Sequence, residues 1–105
     1  MPRDNSRLIM ELDKYRRDIN REKINPSLAP ANMEKLLPVV NLCASARSDY
    51  ITCLLELAQK SAEGSCTVQQ IEKLRQHRVA YEELVAAANA LETVIERGYV
   101  DAAEN

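Results

Sequence analysis

The fold is decided by a short stretch near the middle of the chain, Ala62-Glu63-Gly64-Ser65-Cys66-Thr67-Val68-Gln69-Gln70. Gly64 stands where a helix commonly ends in a left-handed residue. Thr67 and Gln70 have the spacing of a capping box. In that motif the Thr67 hydroxyl accepts the Gln70 backbone N–H, and the Gln70 side chain accepts the Thr67 N–H. The stretch therefore predicts two helices joined by a short turn, which is a helical hairpin.

The flanking residues extend both helices and add a third. Helical apolar spacing predicts helices over about 6–22, about 30–62 and about 68–97. Asp4, Asn5 or Ser6 is expected to cap the first helix, and Pro30 suits the first turn of the second. Pro38 is expected either to kink the second helix or to split it. Gly98 is placed to end the third helix, and residues 98–105 are expected to fray.

The predicted fold is all-α, in one domain that covers residues 1–105. It is a long antiparallel hairpin with a shorter N-terminal helix packed on its open end, a three-helix bundle. Folding the chain about Gly64 sets Tyr50 opposite Ala80 and Leu54 opposite Gln76. The second helix carries heptad-like apolar spacing at Met33, Leu37, Val40, Ala44, Ile51, Leu54 and Ala58, and Arg47 falls within this series.

The half of the hairpin near Gly64 is expected to expose an apolar surface, because the first helix is too short to cover it. The residues expected to bind a partner there are Ile51, Leu54, Leu55, Leu57, Ile71 and Leu74. The chain has no Phe and no Trp, so its core is thin for its length. Both observations favour a homodimer, with two hairpins packed into a larger bundle.

A group of polar residues lies at one level of the hairpin. Arg47, Arg78 and Tyr81, with His77 beside them, could bind an anionic metabolite. The competing interpretation is that Arg47 forms an ion pair with Glu82 or Glu83 across the hairpin and that the other polar groups are solvated. Inward polar groups of this kind also fix the register of helical bundles.

Composition argues against several classes of function. The net charge is −2, from 14 basic and 16 acidic residues, so no strong field favours nucleic acid. The most basic stretch, 14–23, is interleaved with acids and makes nucleic-acid binding unlikely. A single His and three widely spaced Cys predict no metal site and no cofactor. Unpaired thiols and the absence of a long apolar run favour a cytoplasmic protein that neither enters nor binds a membrane.

The sequence thus leads to one principal hypothesis and two alternatives. The principal one is a non-enzymatic protein-interaction module, such as an adaptor, assembly chaperone, regulatory subunit or inhibitor, without catalytic residues. It would dock a second copy or another protein through apolar helix faces. The first alternative is a small helical enzyme or sensor that uses Arg47, Arg78 and Tyr81. The second is a nucleic-acid-binding regulator that uses the basic first helix.

Overall fold

The protein is all-helical in the part of the chain that its computed structural model describes, residues 2–61 and 64–103, with side chains from Asn5 onward. Helix α1 spans Pro2–Leu28, α2 spans Met33–Lys60 and α3 spans Val68–Glu96. These helices confirm the all-α prediction. Two compact units share them: a terminal unit of Met1–Leu36 with Leu91–Asn105, and a hairpin unit of Leu37–Ala90.

The turn of the hairpin unit has the capping chemistry that the sequence predicts. The Gln70 N–H donates to the Thr67 hydroxyl at 3.1 Å, and the Thr67 N–H donates to Gln70 Oε1 at 2.8 Å. Gly64 takes the left-handed conformation, with φ of +82°, and its N–H donates to the Ser61 carbonyl. The capping box is confirmed. Helix α2 ends at Lys60, and the predicted end near residue 62 lies outside the described residues.

The antiparallel register of the hairpin is also confirmed. The rings of Tyr50 and Tyr81 lie 6.1 Å apart, one residue from the predicted pairing of Tyr50 with Ala80. The Cys43 thiol donates to the Leu84 carbonyl at 3.6 Å, which extends the same register toward the open end. The predicted α3 positions in this unit, Leu74, Tyr81, Leu84 and Ala88, are all half-buried.

The face of α2 that packs in the hairpin differs from the heptad series noted in the sequence. The shielded positions are Val39, Cys43, Ala46, Tyr50, Cys53 and Leu57, of which Cys53 and Leu57 are buried. The heptad series from Leu37 to Ala58 is exposed at every position. Helix α2 therefore carries two stripes with 3–4 spacing, and the one with smaller side chains faces α3. Small side chains allow two helix backbones to approach closely.

Helix α1 is longer than the predicted helix over 6–22. It begins at Pro2, whose fixed φ suits a first helical position, so Asn5 and Ser6 lie inside the helix rather than at its cap. The helix continues through Pro26 because the Ala29 N–H still donates to the Asn25 carbonyl beyond it. Pro26 removes one backbone hydrogen bond, and the helix ends two residues later, at Leu28.

Helix α2 begins at Met33, three residues later than predicted. Asn32 caps it, because its side-chain oxygen accepts the Lys35 N–H at 3.1 Å. Pro30 precedes the helix, and the Ala29–Pro30 bond is cis. Pro38 lies within a continuous helix, so the predicted split at Pro38 is wrong. With the start moved to Met33, Pro38 falls in the second turn, where it removes a single backbone bond.

The end of α3 has the predicted glycine cap. Gly98 has φ of +71°, and its N–H donates to the Ile95 carbonyl. The Tyr99 N–H donates to the Val94 carbonyl at 3.0 Å, which completes a Schellman motif.

The expected fraying of residues 98–105 does not hold for the described residues 98–103. Tyr99 and Val100 are buried, and Ala31 exchanges backbone hydrogen bonds with Asp101 and Ala103 in an isolated parallel bridge. Arg21 donates to the Gly98 carbonyl and to the Asp101 carboxylate at 2.7 Å. Hydrogen bonds from the side chains of Arg21 and, to a lesser extent, Asn25 hold the pKa of the Asp101 carboxyl below its ordinary value. Long-range polar contacts therefore hold this segment in place.

Candidate protein-interaction surface

The candidate site is an exposed apolar row along α2 in the hairpin unit. We call it the α2 seam and define it as Leu37, Val40, Ala44, Ile51, Leu54 and Ala58, with Arg47 at the one remaining position of the series. All of these residues are exposed. Their 3–4 spacing is that of the packing seam in a coiled coil or helical bundle. At 1.5 Å per residue the seam is about 32 Å long.

Four of the six residues predicted to bind a partner are exposed. Ile51, Leu54, Leu55 and Ile71 have between 48% and 57% of their surface accessible. Large apolar side chains that stay half-exposed in one row indicate a surface that another protein covers, whereas single exposed ones do not. Leu55 borders the α2 seam, and Ile71 lies one turn into α3.

The other two residues belong to the interior of the hairpin. Leu57 is only 8% exposed, so its expected place in the docking surface is wrong. It follows Cys53 by one turn on the stripe that packs against α3. Leu74 is half-buried and lies on the shielded stripe of α3. The sequence did not separate Leu57 from Leu54 and Leu55 because all three are leucines within about one turn of the same helix.

The predicted anion-binding residues are divided between two separate interactions. Arg47 Nε and Nη2 donate to the Tyr81 hydroxyl at 3.1 and 2.9 Å, and the guanidinium carbon lies 5.3 Å from the ring centroid. Arg78 forms an ion pair with Glu82 at 3.1 Å, one turn along α3. Arg47 therefore contacts Tyr81 rather than the acids Glu82 or Glu83 considered from the sequence. The charge of Arg78 is therefore paired within α3 and is not directed toward Arg47.

A shallow cavity of about 190 Å³ lies near His77. Its polar lining combines Asp49 and Glu56 with Lys73 and His77. These charges have both signs, so the cavity selects neither anions nor cations. Within the described residues no group of three or more His, Cys, Asp or Glu is placed to hold a metal ion.

The terminal unit also exposes apolar side chains. Leu8, Ile9, Leu12 and Tyr15 of α1 are each at least 45% exposed. Leu8, Leu12 and Tyr15 follow the 3–4 spacing of one helix face, whereas Ile19, one turn later on that face, is half-buried. The N-terminal half of α1 thus adds exposed apolar surface outside the hairpin unit.

Comparison of the chain with protein-family models, with curated proteins and with solved structures finds no match. Among the described helices, none combines the length and apolar character needed to cross a membrane.

Proposed function

We propose that this protein is a non-enzymatic interaction module that associates with a second copy of itself through the α2 seam. The observation that carries this proposal is the exposure of a complete heptad series on a helix whose other apolar stripe already packs against α3. A helix apolar on two faces needs two packing partners. The hairpin supplies one of them.

The charge distribution of α2 favours a second copy as the other partner. From residue 37 to residue 58 the charged residues are Arg47, Asp49 and Glu56. At 100° per residue, Asp49 lies about 160° from Ile51 and therefore points away from the seam. Partner choice in helical bundles usually depends on charges beside the apolar seam. Apart from Arg47, the seam has no charged residue on or beside it between residues 37 and 58, and an apolar row is complementary to itself in a two-fold dimer.

Arg47 is the one cation in the series, and its contacts make it compatible with this dimer. Its guanidinium is bound to the Tyr81 hydroxyl and lies over the Tyr81 ring. The charge is therefore directed toward α3, and the aliphatic stem remains to cover the seam. Arg47→Ala should leave association largely intact, whereas a metabolite pocket at Arg47 would lose its ligand.

The energy available from the seam is of the right size for association. Complete burial of a Leu or Ile side chain stabilises a protein by about 1.5–3 kcal/mol, so a half-exposed one can still gain about 1 kcal/mol. Leu37, Val40, Ile51, Leu54 and Leu55 each contribute at this level, and a symmetric dimer counts each of them twice. That sum, about 10 kcal/mol, exceeds only the lower part of the roughly 4–15 kcal/mol cost of association, so we expect a weak and reversible dimer that dissociates on dilution.

The concentration dependence of the thermal midpoint tests this proposal. Association stabilises the folded state by mass action, so the midpoint measured by circular dichroism should rise as the protein is concentrated. A midpoint that stays constant from micromolar to near-millimolar protein would contradict self-association.

Three free thiols are compatible with the reducing cytoplasm that we propose as the location of this protein.

A further inference from the structure

We infer that the terminal unit contains a binding site for a small phosphorylated molecule, in an open cleft beside the end of α3. The cleft has a volume of about 550 Å³ and is lined by Asp13, Lys14, Arg16, Arg17, Arg97 and Tyr99. Clefts of roughly 300–1,000 Å³ are the usual size for small-molecule sites. This site lies outside the hairpin unit and does not depend on the proposed self-association.

The lining of the cleft has a strong excess of positive charge. It contains four cations and the single Asp13 carboxylate, which is paired with Arg16 at 2.8 Å. Lys14, Arg17 and Arg97 form no ion pair with any residue whose side chain the structure describes. Three cations directed at one cleft repel one another, and an anion with more than one negative charge relieves that repulsion.

Arg17 has a defined place in this cleft. Its Nη2 atom lies 3.0 Å from the point that a Cβ on Gly98 would occupy, so the guanidinium lies against the last turn of α3. A cation near a helix C-terminus complements the helix dipole, and one such cation is sufficient for that role. Lys14 and Arg97 are then not needed to complement the dipole at the C-terminus of α3. Their presence in the same cleft is the observation that points to a ligand.

The chemistry of the cations selects phosphate. Guanidinium groups bind phosphate oxygens through two parallel hydrogen bonds, and an ammonium adds a compact point charge. A phosphate ester or a diphosphate balances the excess charge of the cleft, whereas a single carboxylate leaves most of it uncompensated. Tyr99, which is buried, completes the lining of the cleft.

Inorganic pyrophosphate is the probe for this site, titrated into the full-length protein by calorimetry and by amide chemical shifts. We expect saturable binding, with shifts concentrated at residues 13–17 and 97–99. Arg17→Gln and Arg97→Gln should each weaken binding about tenfold, the usual effect of one charge-assisted hydrogen bond. Arg7→Gln removes the same charge from an exposed position of α1 outside the cleft and should leave the affinity within about twofold.

Several results would overturn the site. Pyrophosphate that fails to saturate, or that is weakened equally by Arg7→Gln, would show only diffuse attraction. A lower thermal midpoint in Arg17→Gln without any pyrophosphate binding would assign these cations to helix capping. Binding of a single-stranded oligonucleotide that pyrophosphate cannot displace would favour nucleic acid instead. Pyrophosphate binding should persist in Leu54→Glu, which separates failure of this site from failure of the dimer.

Discussion

Replacing Leu54 with glutamate is expected to dissociate the proposed dimer while leaving the hairpin folded. Leu54 is 48% exposed at the centre of the α2 seam, and Leu57, one turn away, is 8% exposed in the hairpin interior. In a single chain the new carboxylate at position 54 can reach water. The helix then loses only the remaining burial of one leucine, about 1 kcal/mol. A carboxylate at position 57 cannot reach water without disrupting the packing of the hairpin.

The cost at the dimer interface is much larger. An unpaired buried charge costs several kcal/mol, and a two-fold interface buries two copies of it. Taking about 3 kcal/mol for each copy, Leu54→Glu should raise the dimer dissociation constant by about four orders of magnitude, at 1.4 kcal/mol for each tenfold change. Such a protein would be monomeric at any practical concentration.

Sedimentation velocity and far-ultraviolet circular dichroism together measure both effects. Leu54→Glu should sediment as a monomer with a helical spectrum close to that of the parent. Leu42→Glu is the matched control, because Leu42 is 54% exposed on the same helix but lies about 160° from Val40 and Ala44 at 100° per residue. It should remain dimeric. Leu57→Glu should instead lose helical signal.

Three outcomes would refute this reasoning. If Leu54→Glu unfolds the protein as completely as Leu57→Glu, Leu54 is an ordinary core residue and the α2 seam is misplaced. If Leu54→Glu and Leu42→Glu dissociate the dimer equally, the interface does not follow the heptad series. A variant that keeps its mass and its helix would move the interface to another surface.

Three further predictions concern the ends of the helices. Thr67→Ala removes the cap seen at the start of α3 and should cost about 1 kcal/mol, a fall of about 4–8 °C in the thermal midpoint, and an unchanged midpoint would refute the cap. Gly98→Ala places an L side chain at positive φ and should cost about 1–2 kcal/mol by urea unfolding, whereas Gly98→Asn should cost less because asparagine tolerates this conformation. The depressed pKa of Asp101 stabilises the fold above the unfolded value of about 3.9, and this contribution is lost as pH falls through the lower folded value. Asp101→Asn should therefore flatten the acid limb of the stability profile, and a profile identical to that of the parent would show that the Arg21 contact contributes nothing.

The local chemistry of the turns could be predicted from the sequence. Thr67 and Gln70 are hydrogen-bonded to each other, and the Gly98 and Tyr99 N–H groups donate to the Ile95 and Val94 carbonyls. These partners are only a few positions apart, so the residue types and their spacing specify the geometry. The hairpin register followed from these turns, since a fixed turn and two regular helices leave little freedom.

The assignment of faces on α2 could not be predicted in the same way. Two apolar stripes with equal spacing run along this helix, and hydrophobic periodicity does not indicate which of them packs within the chain. The sequence analysis placed Leu57 on the exposed surface together with Ile51 and Leu54. The structure instead shields the stripe that contains Cys53 and Tyr50. The packing of α2 against α3 determines which stripe is shielded, and the composition of the two stripes does not indicate this.

The candidate cleft and the fixed C-terminal segment depend on contacts between distant residues. Arg21 and Asn25 are more than 70 positions from their partner Asp101. Arg97 likewise joins Arg17 only after the chain has folded. The basic stretch over 14–23 was visible in the sequence. The cation that α3 adds to it was not, because no short-range pattern connects the two segments.

The mass of the unmodified protein in solution tests the central claim most directly. Light scattering coupled to size exclusion should give about twice the chain mass of 11.8 kDa at micromolar concentration and above, with dissociation on dilution. That result would show that the chain associates with a second copy of itself, and Leu54→Glu then tests whether the α2 seam is the interface. A single species of 11.8 kDa, unchanged over the whole concentration range, would contradict the proposed self-association.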